Sequence, residues 1–353
     1  MAEVRPFRAL RYDEDVAGPL ETLVAPPYDV ISEKERQDYL ARSPHNVVHL
    51  TLPDSEEQAG RDFRTWVESG ALRAEEPSFW ALEQQYVGPD GVERIRRGIV
   101  ASLKAEPYER RVVLPHERTH RGPKEGRLRL IQAVGAQLEP IFLLYEGTPP
   151  VAQPAGDPVI AVEGARLRPL AETEAIQHAF ADRQLLIADG HHRYESTVEF
   201  AEQGGSPWLM VVLVSTLDPG LMIFPTHRVA ERFEPSNSLL QGANGDPIAA
   251  LESLPPDRAA CVVYTRDGTY LAEDAGQLDT AFVESLGPQG VSYTADAQQA
   301  VAAVDEGRAQ AAFLLRPTRI EDVFAVAERG ETMPQKSTYF YPKLVSGLLF
   351  HPL

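Results

Sequence analysis

Apolar and polar positions along this chain follow two kinds of pattern, one typical of strands and one typical of helices. Stretches such as 141–145 and 208–215 are apolar over the length of a strand, whereas 56–70 spaces its apolar residues by three or four, as a helix does. The pattern predicts strands at 46–52, 79–87, 93–104, 112–114, 141–145, 185–188, 208–215 and 311–315, a hairpin at 260–271, and helices at 56–70, 128–138, 171–181, 296–306 and 320–329. We therefore expect an α+β protein with mixed sheets.

The most informative stretch is 185–203, where an apolar run gives way to a helical pattern. Asp189 and Gly190 break the strand, and the helix is predicted to begin at His191. A helix that starts directly after a strand presents free N–H groups and a positive dipole end, which suits a phosphate. His191, His192 and Arg193 place cations where the helix dipole disfavours them, which indicates a site that needs positive charge. Histidines that merely cap or pack are the structural alternative.

A second unusual stretch, 106–130, carries positive charge in an acidic protein. Seven Lys/Arg and four Glu give it a net charge of +3, although the whole chain has −18. A strand at 112–114 is predicted to end at Pro115, followed by a loop at 116–119 and a glycine-rich cationic loop at 121–127. Such a loop favours a phosphorylated ligand, with an ordinary solvated loop as the alternative.

Three further polar groups lie beside buried segments. Asp29 follows two prolines and precedes a predicted capping box of Ser32 and Glu35. A polar cluster at 226–228 follows an apolar strand, and Lys336 and Lys343 flank an aromatic stretch. Each group has a surface or structural interpretation as well as a functional one. We expect the clusters 116–127, 189–193 and 226–228 to converge on one pocket.

Composition narrows the class of protein. The 353 residues are 43% apolar and 24% charged, as in globular proteins, and the one cysteine, Cys261, excludes an intramolecular disulfide or a cysteine zinc site. Neither a signal-peptide h-region nor an apolar run of membrane-spanning length is visible. The acidic balance argues against nucleic acid. We expect a cytoplasmic protein that binds small molecules and neither nucleic acid nor membrane; homo-oligomer formation stays open.

Seven motifs together resemble the bacterial and archaeal DUF1015 family. In chain order they are RPFRALRY, APPYDVI, NVVHLTLP, LPHERTHRGPKEGR, IADGHHRYES, FPTHRV and KSTYFYPK. The DGHHR segment also resembles the signature of the ParB/sulfiredoxin-like superfamily, which includes kinases that phosphorylate free L-serine with ADP or ATP. In those kinases the Asp-Gly-His-His-Arg turn binds nucleotide phosphates and an upstream glutamate acts on the serine hydroxyl. The stretch between HERT and DGHHR is longer here than in the compact kinases.

The resemblance implies a small-molecule kinase that takes ATP or ADP, uses Mg²⁺ and phosphorylates a free amino acid such as L-serine. It implies an N-terminal α+β region at 1–105, a central ParB/sulfiredoxin-like catalytic region at 106–234, and a C-terminal α+β region at 235–353 that closes the site. Together with the charge pattern, it selects Glu117, Asp189 and His191 as catalytic residues; Gly190, His192, Arg193, Arg118, Thr119, Lys124 and Arg127 as phosphate-binding residues; Asp29, His116, Thr226, His227, Arg228 and Lys336 as substrate-binding residues; and Asp189 as the metal ligand.

Two other functions remain open from the residues alone. A metal-dependent hydrolase would draw ligands from His116, His120, His191 and His192, and because adjacent histidines do not share a helix face, one ion would need both loops. The other alternative is a nucleotide sensor or partner-binding module without catalysis. No GxxxxGK[ST] loop is present, so a phosphotransferase here must hold phosphates differently.

Overall fold

The computed structural model describes residues 2–119, 121–152, 154, 156–234, 240–243, 245–275 and 278–353. Within these ranges the helices are α1 (Glu14–Ala17), α2 (Glu33–Arg42), α3 (Val48–Thr51), α4 (Glu56–Glu68), α5 (Arg121–Val134), α6 (Thr173–Phe180), α7 (His191–Glu202), α8 (Asp279–Ser285), α9 (Ala297–Asp305) and α10 (Ile320–Glu328). The strands are β1 (Val4–Arg5), β2 (Leu10–Tyr12), β3 (Leu72–Ala74), β4 (Phe79–Val87), β5 (Glu93–Lys104), β6 (Val113–Leu114), β7 (Ala136–Gln137), β8 (Ile141–Tyr145), β9 (Ile160–Val162), β10 (Ala165–Leu170), β11 (Leu185–Asp189), β12 (Trp208–Ser215), β13 (Met222–Phe224), β14 (His227–Arg232), β15 (Leu240–Ala243), β16 (Ala259–Thr265), β17 (Gly268–Asp274), β18 (Gln289–Thr294), β19 (Ala311–Leu314), β20 (Tyr339–Tyr341) and β21 (His351–Pro352). Parallel and antiparallel pairs occur in one sheet, which confirms the predicted α+β class with mixed sheets.

Contacts group the chain into two units. The first contains the described residues of 1–88, 93–221 and 342–353, and the second contains those of 89–92 and 222–341. The expected division is different, with three consecutive regions at 1–105, 106–234 and 235–353. Strands of the first two regions, including β5 and β12, pair within one sheet of the first unit.

The first unit is built on a nine-stranded mixed sheet. Its strands run in the order β6-β11-β8-β12-β5-β4-β10-β9, and β1 pairs separately with β5. On one face, Ile176 and Phe180 of α6 pack with strand residues such as Leu143, Leu185 and Val211. The opposite face, which includes Val212, borders Leu344 of the C-terminal segment. Burial on both faces explains why the central strands read as continuous apolar runs.

The second unit is built on a six-stranded antiparallel sheet, β15-β17-β16-β19-β14-β18. Alternate residues of β16 point to opposite faces. Cys261 packs with Phe282 of α8 on one face, and Val262 packs with Val304 of α9 on the other. The hairpin predicted at 260–271 is therefore confirmed as β16 and β17.

The predicted strand at 46–52 is wrong, because Val48–Thr51 forms the short helix α3. The fully buried Asn46 side chain accepts a hydrogen bond from Val48 N (3.0 Å) and donates to Thr22 O (2.8 Å). Asparagine side chains readily bond nearby backbone in this way and start turns. Local capping thus outweighs the β-propensity of the two valines.

The predicted glycine-rich loop at 121–127 is also wrong, because these residues form the first two turns of α5. Pro123 is tolerated there, since the N–H groups of a first helical turn lack intrahelical acceptors. Leu128, Ile131 and Val134 bury one side of the helix. The helix ends at Val134 rather than at residue 138, because Gly135 has a φ of +68°.

Across the described ranges, no helix is both long enough and apolar enough to cross a bilayer.

Candidate phosphate-binding site

The candidate site lies at the end of β11, where two distant parts of the first unit meet. β6 and β11 are parallel, with Leu185 opposite Val113 and Leu186 opposite Leu114. Because parallel strands end at the same sheet edge, the loop after β6 and the turn after β11 are neighbours. His116 N–H donates to His191 Nε2 at 3.3 Å. The structure therefore brings together the clusters at 116–119 and 189–193, which are more than 70 residues apart in the sequence.

Gly190 forms the sharp turn between β11 and α7. Its φ is +100°, in the left-handed region that glycine adopts without strain. A Cβ atom here would lie 3.1 Å from Arg193 Nη2 and 3.2 Å from its Cζ. The absent side chain therefore lets the Arg193 guanidinium lie against the turn. α7 starts immediately afterwards, so its first N–H groups face the same place as these side chains.

Asp189 is held between two cations. Its Oδ2 accepts from Arg193 Nη2 at 2.8 Å, and its Oδ1 accepts from Lys343 Nζ. Burial would raise the pKa of Asp189, but the charges of Lys343 and Arg193 outweigh it and lower that pKa to about 2. Asp189 is therefore ionised at neutral pH, where it pairs with the two cations and is a weak proton acceptor. Its predicted metal-binding role would require one of these cations to move away.

Arg193 is itself tied to a third element. Its Nη1 donates to Pro140 O, directly before β8. Burial alone would lower the Arg193 pKa, but Glu139, Asp189 and Asp29 together raise it. The guanidinium therefore stays charged although the residue is only 9% exposed.

Glu139, which the sequence analysis did not select, connects the proline-rich N-terminal segment to this site. Its Oε1 accepts from Tyr28 N at 3.2 Å and from Ser346 Oγ at 2.7 Å. Asp29 follows Tyr28 and is exposed. Burial would lower the pKa of Lys343, but the negative charge of Asp189 and, to a smaller extent, that of Asp29 raise it. Asp29 therefore belongs to the same electrostatic environment as the turn.

The two buried histidines have fixed hydrogen-bonding roles. His116 Nδ1 donates to Ile187 O at 2.7 Å, and its ring lies 4.8 Å from that of His191. His191 Nε2 accepts a backbone N–H, so in the neutral ring the proton is on Nδ1. Burial lowers the pKa of His116 to about 4 and lowers that of His191 well below its usual value. Both are neutral at pH 7.

The loop after His116 places a carboxylate beside the turn. Glu117 Oε1 lies 3.9 Å from His116 Nε2, and the Glu117 side chain is 26% exposed. Thr119 Oγ1 instead donates to Glu195 Oε2 at 2.7 Å, and Arg118 is exposed. Glu117 is therefore the predicted catalytic carboxylate that is both beside the turn and open to solvent.

Two predicted phosphate-binding cations have protein partners on helices. Lys124 Nζ lies 3.0 Å from Glu199 Oε2 on α7. The Arg127 guanidinium stacks 3.9 Å from the Tyr28 ring centre, and its Nη1 donates to Thr51 O at 2.9 Å. Arg127 thus borders the Tyr28 side of the site, whereas Lys124 is directed along α7.

Four predicted substrate-binding residues belong to the second unit. His227 Nδ1 accepts from Leu315 N at 3.1 Å, and burial lowers its pKa to about 4. Arg228 is 2% exposed and donates to Thr226 O at 3.0 Å, while Lys336 is exposed with a φ of +58°. Their contribution to a pocket shared with the first unit stays a prediction.

Lys343 and Glu139 are the main residues that the sequence analysis did not assign to the site. Lys343 lies in the KSTYFYPK motif beside the same aromatic stretch as Lys336, but only Lys336 was selected as a substrate-binding residue. Glu139 directly precedes Pro140 and the apolar strand β8, so its place at a strand end was a detectable signal.

The described residues include no group of three or more His, Cys, Asp or Glu that could hold a metal ion. His120, one ligand of the hydrolase alternative, lies outside the described residues. His116 Nδ1 and His191 Nε2 are already used in hydrogen bonds. A metal ion bound here would therefore have to use the other ring nitrogens or replace these bonds.

Comparison with solved structures finds several similar chains. A free serine kinase in complex with AMP is 14% identical, with a TM-score of 0.41, over 67% of this chain and 89% of that one. A conserved hypothetical protein from Pyrococcus furiosus is 15% identical, with a TM-score of 0.37, over 65% and 87%. SbnI with a C-terminal truncation from Staphylococcus aureus is 15% identical, with a TM-score of 0.38, over 68% and 84%.

No curated protein matches the chain. The sequence profile described as "Protein of unknown function (DUF1015)" matches residues 4–287, which is most of the chain. This match agrees with the motifs from RPFRALRY to FPTHRV that lie inside those residues. The chain therefore belongs to the DUF1015 family.

Proposed function

We propose that this protein is a small-molecule kinase that transfers the terminal phosphoryl group of ATP or ADP to the hydroxyl of a free amino acid, with L-serine as the first candidate. The observation that carries the proposal is the meeting of the Glu117 loop with the N-terminus of α7, recorded by the bond from His116 N–H to His191 Nε2. This arrangement supplies phosphate donors and a carboxylate at one sheet edge. Those are the two protein contributions that phosphoryl transfer requires.

The phosphates would be held by the turn at 189–193. The first N–H groups of α7 and the dipole of this 12-residue helix favour an anion. Arg193 is held in one orientation by Asp189 and Pro140, so little rotational freedom is lost when it contacts a phosphate oxygen. His192, half-buried in the same first turn, adds a further donor.

Glu117 is proposed as the residue that accepts the proton of the acceptor hydroxyl. Asp189 suits this role poorly, since Lys343 and Arg193 occupy both of its oxygens. In the reaction, the hydroxyl oxygen forms a bond to the terminal phosphorus and the bond to the nucleotide's bridging oxygen breaks. The hydroxyl proton passes to the Glu117 carboxylate, and the shortened nucleotide leaves with the electron pair of the broken bond.

Mg²⁺ fits the donor set of this site. The nearby carboxylates, Glu117, Asp189 and Asp29, are oxygen donors, and Mg²⁺ needs only one or two of them when phosphates and water fill its other positions. When bound, it would neutralise charge on the phosphates. Asp189 would contribute to this binding only if Lys343 or Arg193 moved away from its oxygens.

The proposal is tested by incubating the purified protein with Mg²⁺, L-serine and either ATP or ADP, and detecting phosphoserine and the shortened nucleotide by mass spectrometry. Other hydroxyl amino acids serve as alternative acceptors. Stoichiometric formation of a phosphorylated amino acid and the product nucleotide supports the kinase. Nucleotide binding without transfer to any acceptor would support the sensor alternative, and absence of nucleotide binding would contradict both.

A further inference from the structure

Arg96 on β5 is a buried guanidinium without a carboxylate partner among the described residues. It is 1% exposed, and it lies 4.4 Å from the ring centre of Phe142. Its Nη2 donates to Gln84 Oε1 at 2.6 Å and to Pro342 O at 2.7 Å. Its Nε and Nη1 have no hydrogen-bond partner in the described part of the chain.

Such a group is costly to keep inside a protein. Burial lowers the Arg96 pKa to about 10, which records how poorly the charge is solvated there. Buried polar atoms without partners destabilise the folded state, and an apolar side chain of similar length would avoid that cost. A position that breaks this rule is expected to have a compensating role.

The bonds of Arg96 and Gln84 converge on the backbone around Lys343. Arg96 binds the carbonyl of Pro342, and Gln84 Nε2 binds the carbonyl of Lys343 itself at 3.4 Å. Two side chains from the sheet thus hold the two carbonyls on either side of the Lys343 Cα atom. The Lys343 side chain then reaches Asp189 at the β11–α7 turn.

Lys343 is the cation at this turn that is able to change partner. Arg193 is fixed by Asp189 and by Pro140, whereas the Lys343 ammonium bonds only Asp189 among the described residues. The Lys343 side chain is 22% exposed, compared with 9% for that of Arg193. A lysine ammonium is a compact charge on a flexible stem and rotates between oxygen acceptors more readily than a planar guanidinium does.

We propose that Lys343 is a further phosphate-binding residue, which exchanges Asp189 for a terminal phosphate oxygen when a nucleotide binds, and that Arg96 and Gln84 are positioning residues for it. This inference rests on the proposed function, because it assumes that the turn at 189–193 receives the phosphates. The inference adds Lys343, from the C-terminal segment, to the phosphate-binding residues. Arg96 and Gln84 would affect binding only through the position of Lys343.

The first test compares Lys343→Met with Lys104→Met, a matched control in which the lost lysine also pairs with a carboxylate, Glu3, at 3.0 Å. Binding of adenosine, AMP, ADP and ATP in the presence of Mg²⁺ is measured by calorimetry. Loss of one charged hydrogen bond predicts ADP and ATP binding weaker by about 10- to 100-fold in Lys343→Met. Adenosine binding should stay within about twofold, and Lys104→Met should match the parent for all four ligands.

Three outcomes of this first test would contradict the inference, and they can be told apart. If the parent binds ADP and Lys343→Met binds it equally well, the role of Lys343 is wrong while the nucleotide site stands. If the parent binds none of the four ligands, the proposed function fails together with this inference. An equal loss for adenosine and ADP would mean general damage to the fold and would also overturn the phosphate role.

The second test asks whether Gln84 acts through Lys343. Gln84→Met preserves side-chain length and removes the bond to the Lys343 carbonyl, and Arg96→Lys is the companion variant for the second carbonyl. Each should weaken ADP binding several-fold in the parent background but have no further effect when Lys343 is already Met. Equal losses in both backgrounds would show that these residues support the fold only.

Discussion

Arg193 reaches back one helical turn to Asp189, and its Nη2 lies 2.8 Å from Asp189 Oδ2. This contact spans the start of α7, with Gly190 between the two residues. It places a charged guanidinium beside the N–H groups that the start of a helix leaves without intrahelical partners. Arg193, the residue proposed to bind phosphate, therefore also stabilises the turn. Tests of the site must separate the effect of a substitution on ligand binding from its effect on the stability of the fold.

Gly190→Ala should weaken nucleotide binding as well as destabilise the protein. A Cβ at a φ of +100° is strained, and it would press on the Arg193 guanidinium from 3.1 Å. We expect a loss of about 1–2 kcal/mol in the free energy of unfolding from the left-handed conformation alone. Tryptophan fluorescence is a suitable measurement, since Trp66, Trp80 and Trp208 all lie in the first unit.

Gly204→Ala, at the other end of α7, is the matched control. Its φ is +90°, and a Cβ there would meet nothing within 4 Å. It should lose similar stability and keep the parent's affinity for ADP. If Gly190→Ala bound ADP as tightly as Gly204→Ala does, the shape of the turn would have no part in the site.

Arg193→Ala and His192→Ala should differ, because the two side chains are buried to different extents. Arg193 is 9% exposed and joins Asp189 to Pro140, so its loss leaves the Asp189 carboxylate and the Pro140 carbonyl without this partner. We expect about 1–3 kcal/mol lower stability in Arg193→Ala, together with weaker ADP binding. His192→Ala, at a half-buried position, should lower ADP affinity while leaving the unfolding midpoint near the parent's.

Equal unfolding midpoints for the two variants would contradict this assignment of Arg193. Arg193→Lys is the useful companion, because one ammonium keeps the charge but cannot span both Asp189 and Pro140 in the geometry of the guanidinium. It should restore part of the ADP affinity and little of the stability.

Local patterns in the sequence were sufficient to predict the strand, turn and helix that form the candidate site. The run 185–188, the break at Asp189 and Gly190, and the helix from His191 predicted the β11–α7 turn, and the capping box of Ser32 and Glu35 is confirmed at the start of α2. These features depend on residues a few positions apart. In the folded protein, too, these features are determined by interactions between residues that are close in the sequence.

The features that the sequence did not predict depend on distant partners. The Asn46 side chain at the start of α3 donates hydrogen bonds to the backbone carbonyls of Thr22 and Val24. These partners lie more than 20 residues away, so no local sequence pattern predicts them. Lys343 is likewise placed by Arg96 and Gln84 from a sheet more than 200 residues earlier. Long-range hydrogen bonds of this kind override local propensity, so only the folded structure identifies them.

Glu117→Gln should reduce turnover far more than it reduces binding. If Glu117 accepts the proton of the acceptor hydroxyl, single-turnover phosphoryl transfer should fall by about 10²–10⁴-fold, while ADP affinity stays near the parent value. Glu109→Gln, at an exposed position before β6, should have parental turnover. Asp189→Asn and Asp29→Asn should be measured in parallel, since a larger loss of transfer in either would move the base role to that carboxylate.

The free energy of unfolding should decrease at acid pH because of buried histidines; we call this part of the pH profile the acid limb. Burial lowers the pKa of both His116 and His351 to about 4 in the folded protein, against an ordinary value of 6.5. Above pH 6.5 the histidines are neutral in both states and their neutral form is compatible with burial. As the pH falls from 6.5 to 4, the unfolded chain takes up protons that the folded chain does not, so the free energy of unfolding decreases.

Each histidine can contribute up to ~3 kcal/mol to this decrease, because one pKa unit corresponds to about 1.4 kcal/mol. Below about pH 4 the folded protein is protonated as well, and this contribution levels off. Asp189 acts in a separate window: its lowered pKa of about 2 means that its stabilising charge is lost only as the pH falls from 3.8 towards 2. Unfolding of the first unit, followed by tryptophan fluorescence in urea at pH 8, 6.5, 5.5 and 4.5, therefore separates the histidine window from that of Asp189.

His116→Asn and His351→Gln are the variants that test this assignment. Asparagine can replace the His116 Nδ1 bond to Ile187 O, and glutamine can replace the His351 Nε2 contact with Ser102 Oγ, which is 2.8 Å long. Each variant should be less stable than the parent at pH 8 and lose less stability between pH 6.5 and 4.5. His178→Asn, at an exposed position, should follow the parental curve. A parental slope in both buried variants would assign the acid limb to other groups, because a residue without a titrating ring cannot take up the proton.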